Sequence, residues 1–94
     1  MNNDADLQGT ISAVINRFNH TRLPRVLSLK KRVINGERLG EFDLLYLERV
    51  IRDIRYMRQI TKNHPRCQAL FAQVVGLYAD VTAGALENER LANR

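Results

Sequence analysis

The chain has the length of one domain: 94 residues, 45% hydrophobic and 27% charged, with two Pro, no Trp and one Cys. A single thiol excludes an internal disulfide framework, and this balance of apolar and charged residues excludes a disordered polyelectrolyte. The formal charge of +5 leaves acidic proteins and nucleic acids open as partners.

Leu, Arg, Ala and Glu are frequent, and few β-branched runs occur, so the sequence reads as all-α. The expected architecture is a small antiparallel bundle of three to four helices built on a long hairpin of the third and fourth. It is read as one domain over residues 1–94, with 1–5 and 90–94 frayed. The start, Met1 to Asp6, is polar and acidic and lacks the basic and apolar regions of a secretion signal. With the lone cysteine, this predicts a cytoplasmic setting.

The first helix is expected from about Asp6 to Asn19, with Leu7, Ile11, Val14, Ile15 and Phe18 on one stripe. Pro24 lacks a backbone donor and biases Leu23 away from helical geometry, so a break or kink is expected at His20–Pro24. A second helix then runs to about Asn35, facing inward through Leu23, Val26, Leu27, Val33 and Ile34. Gly36 is its stop. Between Arg22 and Arg38, six basic residues stand against the single acid Glu37, a local excess equal to the whole net charge of +5. Arg22, Arg25, Lys31, Arg32 and Arg38 form the candidate basic patch, suited to nucleic acid or an acidic protein face. A helix-turn-helix reading fits poorly, because the third helix carries Leu, Ile and Val where exposed polar readers are needed.

The third helix is expected from Gly40 or Glu41 to Asn63. Its apolar arc holds Leu44, Leu47, Val50, Ile51, Ile54 and Met57. Arg58 falls inside that arc and is expected to snorkel or to pair with Asp53 or Asp80. Glu48–Arg52 and Arg49–Asp53 are expected as surface pairs one turn apart. On the opposite face, Leu45, Arg49, Arg52 and Tyr56 form a stripe with the composition of an interface.

The fourth helix is expected from Pro65 to about Leu91. Phe71, Val74, Tyr78, Val81 and Ala85 form one seam, yet the apolar arc covers about half the circumference. Asp80 is the one charge between Cys67 and Leu86. Ala72, Gly76, Ala79 and Ala83 form a ridge of small residues that permits close approach of another helix, so a homodimer is expected. A membrane span is not expected, because Asp80 sits mid-segment.

Chemistry is sparse. His64 and Cys67 are three residues apart but have no further Cys or His partner nearby, which argues against a metal site. Cys67 lies on the apolar arc and reads as an inert core thiol. No phosphate-binding glycine loop or nucleophile constellation is present. The expected function is therefore non-enzymatic, an interaction or regulatory protein without cofactor.

Residues Arg22-Leu23-Pro24, Leu29-Lys30, Arg32-Val33, Gly36-Glu37, Leu39, Asp43, Leu47-Glu48, His64-Pro65, Leu77-Tyr78 and Ala85-Leu86-Glu87-Asn88-Glu89 carry a resemblance. Over 22–89 the chain resembles small all-helical proteobacterial proteins of unassigned function. That resemblance implies a bacterial, cytoplasmic setting and no catalytic residues.

Overall fold

The structure is a computed structural model. It describes the backbone of residues 3–94 and the side chains from residue 6 onward. Of the expected fraying of residues 1–5, residues 1–2 lie outside the described residues, while the backbone of 3–5 already belongs to the first helix. The elements are α1 (Asn3–Arg17), a π-turn (Phe18–Arg22), α2 (Leu23–Ile34), α3 (Glu41–Ile60) and α4 (Pro65–Ala92). Among the described residues there is no strand. The molecule is a rod of 62 × 20 × 19 Å.

The first two expected helices are one. The chain does not break at Pro24: Leu23 is helical at φ −61°, ψ −48°, and its N–H donates to the Phe18 carbonyl. In a regular α-helix a proline ring collides with the carbonyl four residues earlier. Here the wider π-turn directly precedes Pro24 and takes up that misfit.

The same turn resets the buried stripe. Ile11, Val14 and Phe18 are buried before it, and Val26, Leu29 and Val33 after it. Each set follows three-then-four spacing, but the step from Phe18 to Val26 is eight residues, one more than a heptad. The wider turn absorbs that residue, so both halves face the same core. The inward set expected for α2 is corrected accordingly: Leu29 is buried, whereas Leu27 and Ile34 are exposed, Ile34 to 71%.

Both turns use left-handed residues to end helices. Gly36 sits at φ 87°. Its N–H donates to the Val33 carbonyl and that of Glu37 to the Arg32 carbonyl, the paired bonds of a Schellman cap. The end of α3 repeats the pattern without glycine. Lys62 and Asn63 have φ of 53° and 55°, and their N–H groups donate to the Gln59 and Arg58 carbonyls. At the start of α3, the Gly40 N–H donates to Asp43 Oδ2 at 3.1 Å. At the start of α4, the Arg66 N–H donates to His64 Nδ1 at 3.2 Å.

The core is built from Phe18, Val26, Leu29, Leu47, Val50, Ile54, Phe71, Val74 and Val81 with their neighbours. Phe18 and Phe71 meet edge to face, centroids 5.4 Å apart. Arg22 pairs with Asp53 and Arg32 with Asp43; one number rises as the other falls, so α2 and α3 run in opposite directions. Lys30 pairs with Asp80, and Arg38 with Glu89. These numbers rise together, so α4 runs alongside α2 in the same direction.

The broadest packing in the chain is of α4 on α2. At Gly84 the two helices leave no room for a Cβ, which would overlap the Val33 side chain. One turn later, Asn88 Nδ2 donates to the carbonyls of Val33 and Glu37, both at 2.9 Å. It thereby satisfies backbone acceptors at the end of α2. The polar tail is more ordered than expected: α4 continues to Ala92, and Arg90 holds Glu87 in a two-bond pair.

Candidate interaction surfaces

The basic segment is drawn into the fold. Arg22 reaches Asp53 at 2.5 Å and lies 5.8 Å from the Tyr46 ring. Arg25 stacks on the same ring at 3.8 Å, a cation–π contact. Arg32 grips both Asp43 oxygens and also touches Glu37. Arg38 forms two bonds to Glu89 across the groove. Of the five candidate cations, Arg22, Arg32 and Arg38 are in ion pairs, while Arg25 and Lys31 make none among the described residues.

These pairs shift titration. The bonds it donates to Asp43 raise the Arg32 guanidinium above its ordinary range, and those to Glu89 do the same for Arg38. Burial alone would push Asp43 up. The bonds from Arg32 and from the Gly40 N–H outweigh it and hold the carboxyl below its usual range. Arg38 holds Glu89 down in the same way.

On α3 the expected stripe of Leu45, Arg49, Arg52 and Tyr56 is exposed along its length. Phe42, 83% exposed, extends it by one turn. The sequence reading passed over Phe42, although it lies three residues before Leu45 on the same face. Neither expected surface pair forms: Asp53 is held by Arg22, and Glu48 makes no ion pair among the described residues. Arg58 is exposed rather than paired, since Asp53 and Asp80 have other partners.

On α4 the ridge of Ala72, Gly76, Ala79 and Ala83 faces solvent. Ala69 and Leu86 continue it at both ends, giving three-four alternation over six exposed positions from Ala69 to Leu86. Val75 borders it, and Leu86 at its end is 71% exposed. Among the described residues, α4 is the helix long and apolar enough to cross a membrane, yet only 22% of its most apolar stretch is buried. A groove of about 690 Å³ lies beside the ridge, lined by Leu39, Leu44, Thr82, Ala85 and Leu86 and rimmed by Arg38 and Glu89.

Cys67 is fully buried. Burial pushes its thiol up, with partial relief from the Thr61 hydroxyl. No group of three or more potential metal ligands occurs among the described residues. No protein-family model, curated protein or solved structure matches the chain.

Proposed function

We propose that the chain is a non-enzymatic interaction protein that self-associates as a two-fold dimer through the outer face of α4. The observation that supports this is the exposed, uncharged seam from Ala69 to Leu86 on a helix that is apolar yet little buried. Large apolar faces on small soluble domains mark contact surfaces. Small side chains at alternating three-four spacing let a second helix approach closely.

A second copy fits this face better than lipid does. Its side chains are mostly Ala and Gly, which contribute little to lipid partitioning, and Asp80 flanks it in an ion pair with Lys30. Antiparallel seating about Gly76 and Ala79 opposes the two helix dipoles.

Within each copy, α3 and α4 are read as the expected antiparallel hairpin. The shared linings of Ile51 with Tyr78, and of Leu44 with Ala85, support that reading. The setting is read as bacterial and cytoplasmic, supported by the resemblance above and the single thiol. The alternative, nucleic-acid contact through 22–38, is supported by Arg25 and Lys31 alone.

Light scattering coupled to size exclusion tests the dimer. The expected mass is twice 10.9 kDa, falling to that of one chain in Ala79→Glu with helicity retained. A single-chain mass for the unaltered protein across micromolar concentrations overturns the reading.

A further inference from the structure

Once the ion pairs are counted, the uncompensated charge is not where the sequence concentrates it. Lys30, Arg22, Arg32 and Arg38 are neutralised by Asp80, Asp53, Asp43 and Glu89. Between Arg49 and Arg66 stand six cations and one acid, Asp53, which Arg22 already holds. All six (Arg49, Arg52, Arg55, Arg58, Lys62 and Arg66) are exposed and make no ion pair among the described residues. The four arginines recur every third residue, so each step advances roughly 4.5 Å and turns about 60°, and the four wind half-way round α3 from Arg49 to Arg58. Tyr56 stands among them with 59% of its surface exposed.

We infer that this band, from Arg49 on α3 through the α3–α4 turn to Arg66 at the start of α4, binds the phosphodiester backbone of single-stranded nucleic acid, with Tyr56 as a stacking platform for a base. Guanidinium groups match phosphate oxygens in geometry and charge. An exposed ring among them suits an unpaired base, since stacking on aromatic side chains is the sequence-tolerant mode of single-strand binding. A duplex hides its base faces from such a ring. The inference stands apart from the proposed dimer, because five of its six cations and Tyr56 lie on α3 and the α3–α4 turn, and Arg66 stands at the start of α4 before the seam begins at Ala69.

Fluorescence anisotropy with labelled oligo-dT and oligo-rU, read over a range of salt, tests it on the full chain. Binding is expected to weaken with salt, with a log–log slope of about −0.7 per phosphate contacted. Replacing Arg49, Arg52 and Arg55 together by Gln should cost at least about tenfold in affinity and flatten the slope by about 2. Tyr56→Ala should cost about fivefold or more at unchanged slope. The control pair Arg25→Gln with Lys31→Gln should change affinity by less than about twofold, and circular dichroism should show all variants helical. The inference is overturned by no binding at low salt, or by an equal loss in the control pair. Tighter binding to duplex DNA, phosphatidylserine vesicles or polyglutamate than to the single strands also overturns it.

Discussion

Gly84 lies against Val33 with no room for a methyl group between them. This contact sets how closely α4 approaches α2, and so how tightly the core between them closes. Gly84 belongs neither to the apolar seam of α4 nor to its ridge of small residues, so the sequence gives no sign of this contact. Yet Gly84 is the residue through which the two helices touch.

Gly84→Ala should therefore destabilise the fold by about 2 kcal/mol, the cost of overpacking, although alanine is the better helix former. Gly76 is the counterpart, with nothing within 4 Å of an added Cβ. Gly76→Ala should leave the monomer fold equal or more stable by up to about 1 kcal/mol. Urea denaturation of both variants, at concentrations where the chain is monomeric, reads the difference in sign.

Asn88 links the same two helices by a polar route. Its amide serves two carbonyls near the end of α2, and Asn88→Ala leaves both without that donor. The expected loss is about 1–2 kcal/mol. Amide hydrogen exchange should also quicken in the last turn of α2 more than in α1.

Lys62 occupies the left-handed position of a helix cap at φ 53°, where a side chain costs energy and glycine does not. Lys62→Gly should stabilise the fold by about 0.5–1 kcal/mol. A higher thermal midpoint checks this, and a lower one would show that the lysine side chain contributes more than its backbone strain removes.

Asp43 gives the fold a pH dependence. Its carboxyl is held below the usual range by Arg32 and the Gly40 N–H. A depressed carboxylate contributes fully above its unfolded value and loses that contribution as pH falls through the folded one. Stability should therefore decline below about pH 4–5. Asp43→Asn should be about 1 kcal/mol less stable at neutral pH, with a shallower acid decline. Glu89, held down by Arg38, adds in the same direction.

Helical content and most of the core were readable from periodicity, because burial imposes a repeat on Ile11, Val14 and Phe18 as it does on Phe71, Val74 and Val81. The stop at Gly36 was readable from the conformation only glycine takes cheaply. The continuity through Pro24 was not, since local rules for proline weigh the clash and not the wide turn that relieves it. Once that turn is known, the eight-residue step from Phe18 to Val26 is its trace in the sequence. Missing it put Leu27 and Ile34 inside and left Leu29 unremarked. Charge was the least legible, because Arg22 finds Asp53 at a separation of 31 residues and Arg38 finds Glu89 at 51. Linear counting cannot cancel such pairs, so it placed the excess on 22–38.

The π-turn between α1 and α2 also decides where this rod tolerates a change of length. Removing one residue from a regular helix turns everything beyond it by about 100°, so deleting Ser12 or Ser28 should swing one half of the buried stripe into water. Deleting Asn19 together with Pro24→Ala removes the surplus residue and the ring that needs it. It leaves Phe18 and the former Val26 a heptad apart, with both halves still seated. Within the long helix from α1 through α2, that turn is a splice point at which the molecule can be shortened and still fold, and thermal unfolding should place the Asn19 deletion above both serine deletions.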